Sequence, residues 1–145
     1  MIDVNKEIKA AMLAKDSVRL ASLRAIKTAF MMAETEKGAG DLTAEGQLKI
    51  IQKQVKQRKD AAAIYQEQGR ADLAEDEMAQ VAVLESFLPE QMSEEEIENV
   101  VKGIIADLGA SSMADMGKVM GVASKQLSGQ ADGKVIAAKV RQLLA

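Results

Sequence analysis

Three kinds of residue in this 145-residue chain have the type and spacing to do chemistry. Acids gather at Asp72, Glu75, Asp76 and Glu77, and again at Glu94, Glu95 and Glu96. Grouped carboxylates can hold a metal or pass a proton, yet neither run is joined by a second ligand type. Both runs fall where a helix would begin, and the positive end of a helix dipole draws acids into the first turn. The segment Gly117-Lys118-Val119-Met120-Gly121 sets Gly beside Lys, as phosphate loops do. A phosphate loop needs two Gly with four residues between them, then Lys, then Ser or Thr, after a strand. Here seven residues separate Gly109 from Gly117, and Val119 follows the lysine. What remains is two Gly four apart on a helix, each costing about 1 kcal/mol against Ala. A bare face of that kind receives a neighbouring helix or lets a ligand backbone come close. Helix packing is the first expectation, and Gly117 and Gly121 are the close-approach positions.

The third kind is the bases. Lys49, Lys53, Lys56, Arg58 and Lys59 stand against one acid, Glu45, between residues 43 and 59. Lys118, Lys125, Lys134, Lys139 and Arg141 stand against Asp115 and Asp132 between residues 111 and 145. The charged residues of 67–98 are all acids, with Arg70 the exception. A solvated helix face is one reading of each basic group; a surface that contacts phosphates is the other. No aromatic residue interleaves with the lysines, so nucleic acid would be held by backbone and shape, not by base stacking.

The absences narrow the chemistry. With no His and no Cys, the chain has no imidazole base, no thiolate and no ordinary zinc ligand set. No catalytic residues are assigned, and neither a cofactor nor a metal is expected. No apolar run approaches the ~18 residues of a membrane span, so a membrane is not expected among the partners. Residues 1–7 lack a basic and then apolar leader, which makes the cytoplasm the expected compartment. The formal charge of −3 argues against wholesale nucleic-acid binding but hides the local excess of bases.

The elements that must position these groups are helices. Aromatics are 2% of the chain and the apolar residues are chiefly Ala, Leu, Ile, Val and nine Met, which favours helix over strand. A short helix over about 3–14 precedes a second one capped by Asp16, with Leu20, Leu23, Ile26, Phe30 and Ala33 on one face. That second helix runs out at Lys37-Gly38, with Lys37 at the negative end of the dipole and Gly38 in a left-handed closing conformation. Thr43 caps a long third helix, striped by Ala44, Leu48, Ile51, Val55, Arg58, Ala62 and Tyr65. A fourth helix carries Ala74, Met78, Val81, Leu84 and Leu88 and stops at Pro89. Ser93 and Glu96 form a capping box ahead of Ile97, Val101, Ile104 and Leu108. Gly109 closes that helix, Ser112 caps the next, residues 128–131 turn, and Asp132 caps the last. The fold class is therefore all-α: an N-terminal antiparallel domain of about four helices, residues 1–90, then a three-helix domain, residues 91–145. The Met residues, among them Met12, Met31, Met32, Met78, Met113, Met116 and Met120, are expected mostly on inner faces as filler. The other reading is an adaptable peptide groove.

Several segments together resemble the GatB/YqeY family from end to end. They are KDSVRLASLRAIK from Lys15, VKQR from Val55, QGRADLAEDE from Gln68, FLPEQMSEEE from Phe87, and DMGKVMG from Asp115 with GQADGK from Gly129. The resemblance implies a free-standing helical protein whose last domain is similar to the C-terminal tail of the GatB subunit of tRNA-dependent amidotransferases. Those enzymes amidate misacylated tRNA with nitrogen from glutamine, a carbon–nitrogen ligase reaction. The resemblance implies that the tail helps to hold tRNA while the chemistry lies in other domains. It makes tRNA the expected partner, gripped weakly at its backbone by Lys118, Lys125, Lys134, Lys139 and Arg141. Amidotransferase subunits, or another protein docked on the acidic hinge region or the Met-rich helices, are the alternative. Relatives often carry bases in the turn before Asp132, where this chain has Ser128-Gly129-Gln130.

Overall fold

The computed structural model describes residues 1–36, 38 and 40–145, and these form seven α-helices, one short 3-10 turn and no strand. The expected placement of Lys37 at a helix end lies outside the described residues. The chain divides into two compact units, Met1–Leu88 and Pro89–Ala145.

The first unit holds α1 (Val4–Leu13), α2 (Ser17–Thr35), α3 (Ala44–Glu67) and α4 (Ala71–Glu85). Asp3, Asp16 and Thr43 each accept a backbone N–H three residues on, which starts α1, α2 and α3. The helix α2 ends at Thr35, and its cap Glu36 is extended; Gly38 is left-handed (φ 80°), two residues beyond that cap. Gly69 (φ 73°) turns the chain from α3 into α4. Leu23, Ile26 and Phe30 of α2, Ile51 and Val55 of α3 and Val81 and Leu84 of α4 are buried together, with Val4 and Ala11 of α1 against them. Each such side chain contributes roughly 1.5–3 kcal/mol by leaving water. Buried Gln47 accepts the Ile2 N–H at 3.0 Å and ties the first residues to α3. The Arg19 guanidinium bonds Glu7 at 3.0 Å and lies 5.0 Å from the centre of the Phe87 ring, linking α1, α2 and the end of the unit.

Methionine follows the expected inner faces only in part. Met116 and Met120 are half-buried and pack against the core of the second unit, whereas Met12, Met31, Met32, Met78 and Met113 are exposed. In the first unit the buried contacts go to Leu, Ile, Val and Phe instead. Ala44 and Leu108, also expected inside, are exposed as well.

The second unit holds α5 (Glu94–Leu108), a 3-10 turn (Met113–Asp115), α6 (Met116–Gln126) and α7 (Gly133–Leu144). The capping box at the start of α5 is complete: Glu96 N–H donates to Ser93 Oγ, and Ser93 N–H donates to Glu96 Oε2, both at 3.2 Å. Gly109 (φ 64°) closes α5. Ser112 does not cap α6 through its side chain; it precedes the 3-10 turn, and α6 starts three residues later than its position predicts. The core joins Ile97, Val101 and Ile104 of α5, Val119 and Ala123 of α6, and Ile136, Val140 and Leu144 of α7. The turn between α6 and α7 belongs to this core, because Leu127, Gly129 and Ala131 are buried. It is clamped to the start of the unit: Met92 N–H donates to Gln130 O at 3.0 Å, and Gln91 Nε2 donates to Gly129 O at 2.7 Å.

Candidate nucleic-acid interface

The basic run on α3 has its acids opposite it. Arg58 Nη1 bonds Glu77 Oε2 of α4 at 3.3 Å, with the two side chains only 18% and 22% exposed. Lys59 pairs with Glu85 of α4 at 3.1 Å, and Lys49 with Glu45 one turn back at 3.5 Å. Half the acid run of α4 is thereby explained. Glu77 holds α4 to α3, and Asp72, in the first turn, is bonded by Arg70. That Arg70 bond holds the Asp72 carboxyl below the usual carboxylate range. Among the described residues no three carboxylates converge as a metal cage. Arg58 Nε is buried and finds no acceptor among the described residues.

The bases of the second unit are arranged differently. Val119 and Ala123 point α6 into the core. Lys118 and Lys125, seven residues apart, fall about 20° from each other around the helix and on the side away from that core. Both are exposed, and neither forms an ion pair among the described residues. Gly117 and Gly121 lie on the same outward side. A Cβ built on either meets nothing within 4 Å, so among the described residues no helix of this unit packs on this face, against the packing expectation for the two Gly. The bare segment is open backbone between two free ammonium groups.

On α7, Ile136, Val140 and Leu144 face inward. Lys134 and Arg141, again seven apart, share one flank and are exposed. Lys139 falls on the other flank, half-buried, with its ammonium 3.9 Å from Glu94 of α5. Since α7 packs against both α5 and α6, the flank opposite Lys139 is the one beside α6. Lys118, Lys125, Lys134 and Arg141 thus sit on adjoining helices, while Lys139 is turned towards the acids of α5. The two acids of this stretch are engaged at helix starts: Asp115 Oδ2 accepts Ser111 N–H at 3.0 Å, and Asp132 Oδ1 accepts Lys134 N–H at 2.9 Å. The turn ahead of Asp132, packed as described, offers backbone to the core and not to a ligand.

A family model described as Yqey-like protein matches residues 2–144. The chain belongs to that family, the GatB/YqeY family. It is similar to the protein named "Altered inheritance of mitochondria protein 41, mitochondrial" of Kluyveromyces lactis, 28% identical over 141 residues, covering 95% of this chain and 72% of that protein. The protein of the same name from Pyrenophora tritici-repentis is 30% identical over 142 residues, covering 95% and 77%. Family membership extends over both units. No helix of the described residues is long and apolar enough to cross a membrane.

The Arg58–Glu77 pair and the inward turn at residues 127–131 were not read from the sequence. A signal for the first was present: a basic helix and an acidic helix joined through a Gly turn at Gly69 must face each other if they pack as a hairpin. For the second the signal was weaker, since Ser-Gly-Gln has the composition of an exposed turn.

Proposed function

We propose that the protein is a non-catalytic accessory module that holds tRNA by its phosphate backbone, through Lys118 and Lys125 of α6 with Lys134 and Arg141 of α7. The observation that carries this reading is the open helix face at Gly117 and Gly121, flanked by two unpaired lysines. A polyanion can approach that backbone closely, and the lysines supply its counter-charge without first breaking an internal ion pair. The resemblance of the last domain to the tail of a tRNA-dependent amidotransferase subunit supports RNA as the polyanion; catalysis is no part of this reading. In this reading the compartment is the cytoplasm, whereas the relatives' names place those proteins in mitochondria.

The test is filter binding of unfractionated tRNA across a salt series. Four phosphates neutralised give a log–log slope of about −3 to −4. Lys118→Glu with Lys125→Glu abolishes binding in this reading. Absence of tRNA binding by the parent chain at low salt would refute it.

A second reading, a protein-docking module, is favoured by the exposure of Met31, Met32 and Met78, since Met side chains adapt to varied partner surfaces. Its candidate partners are amidotransferase subunits. Native co-purification with and without Met31→Ser and Met32→Ser tests it, and a partner retained equally by both chains counts against it.

A further inference from the structure

The corner between α1 and α2 carries features that neither unit's core explains. Leu13 is 78% exposed, Met12 56% and Val18 41%, so three large aliphatic side chains stand in water within seven residues. Leu13 lies directly opposite the inward side of α1, where Val4 and Ala11 are buried and Ile8 partly so, and shares the outward face with Lys6 and Lys9. Between Leu13 and Val18 comes Lys15, the one non-Gly residue of the described chain with positive φ (55°).

The backbone at that point shows why Lys15 is unexpected. Lys15 N–H donates to Met12 O at 3.2 Å and Asp16 N–H to Ala11 O at 3.0 Å, the paired bonds of a Schellman closure. The same pair of bonds closes α3 at Gly69 (to Gln66 O and Tyr65 O) and α5 at Gly109 and Ala110 (to Ala106 O and Ile105 O). Those two closures use Gly; this one holds a lysine in a conformation that L-residues avoid. The nearby acids do not cancel the bases: Asp3 and Asp16 sit at helix N-termini, where the dipole balances them, and Glu7 is bonded to Arg19.

We propose that this corner is a peripheral docking tip for an anionic phospholipid bilayer, with Leu13, Met12 and Val18 entering the interface and Lys6, Lys9 and Lys15 meeting lipid phosphates. The composition of this corner favours a bilayer over a protein groove. The side chains are aliphatic and project from a helix corner, and no Trp, Tyr or unpaired Arg stands among them as the anchors of protein interfaces do. Aliphatic insertion beside lysines is the arrangement by which surface segments bind anionic membranes without crossing them. This surface is built entirely within the first unit and does not depend on the tRNA reading.

The experiment is vesicle co-sedimentation of the full chain, with phosphatidylcholine alone and with about 30% phosphatidylglycerol, at low salt. The expected result is binding to the anionic vesicles only. Leu13→Gln weakens it about tenfold, and Lys15→Gly about fivefold. Because Lys15→Gly also relieves the backbone, its melting temperature is expected at or above the parent's, which separates lost docking from lost folding. Lys118→Glu with Lys125→Glu is expected to leave sedimentation unchanged. No binding to anionic vesicles, equal binding to neutral ones, or loss only in the Lys118 and Lys125 variant overturns the proposal. So does a Leu13-dependent dimer or Leu13-dependent protein complex with no vesicle binding.

Discussion

Two stretches of this chain carry five lysines and arginines each, and folding disposes of them in opposite ways. The bases of α3 lie along a hairpin whose second helix, α4, is acidic, and Arg58 and Lys59 are spent on Glu77 and Glu85. The bases of α6 and α7 belong to a unit whose acids are concentrated on α5, and among the described residues only Lys139 pairs with one of them, Glu94. A count of charges along the sequence scores the two stretches alike. What separates them is which helix packs beside which. Local basic excess therefore marks a binding surface only after internal partners are subtracted, and most of an exposed pair's energy is small in any case.

The sharpest way to break this comparison is to exchange the roles of the two basic stretches. Reversing Lys118 and Lys125 to Glu is expected to abolish measurable tRNA binding, a loss of at least about two orders of magnitude, since two attractive phosphate contacts become repulsive. Reversing Lys49 and Lys53 on α3 changes it less than about twofold. Filter binding of the two double variants side by side decides it, and equal losses would erase the distinction. Next in size is the internal use of α3's bases. Arg58→Ala leaves Glu77 half-buried and uncompensated, and is expected to cost about 2 kcal/mol in urea unfolding. A change below about 0.5 kcal/mol would place Arg58 with ordinary surface bases.

Gly117→Ala and Gly121→Ala sharpen the comparison from the other side. A methyl group at either position meets open space, so each substitution is expected to stabilise the fold by about 0.5–1 kcal/mol. If RNA backbone approaches there, the same substitutions weaken tRNA binding while raising the melting temperature. A rise in both would remove the glycines from the interface. The smallest effect is at Asp72. Its carboxyl is held low by Arg70, so the folded state binds that proton less readily than the unfolded chain does. The contribution is complete above the usual carboxylate range and is lost as pH falls through the lowered value. Arg70→Gln moves the Asp72 carboxyl back up in a carbon-detected NMR titration; an unmoved Asp72 would show that Arg70 is not the cause.

Much of the scaffold was legible beforehand because its signals are local. The Asp16, Thr43, Ser93 and Asp132 caps, the Gly69 and Gly109 closures and the stripes of Leu, Ile and Val all depend on residues within four or five positions. Met12, Met31, Met32, Met78 and Met113 are exposed against expectation, because helical period tells which residues share a face, while a flexible unbranched side chain can occupy an inner or an outer one. Gln47 shows the converse: a polar residue is buried because the Ile2 N–H, 45 positions away, needs an acceptor.

The sequence by itself determined the helical class, the helix starts and stops, and which residue types were available for chemistry, because hydrogen-bond capping and side-chain periodicity act over one or two turns. Only the tertiary structure decided which charges were neutralised, that Gly117 and Gly121 stand open, and that Lys139 turns away from the other bases. Those outcomes depend on which helices become neighbours, and a charge interacts with whatever the fold brings within a few ångströms, however distant it is along the chain.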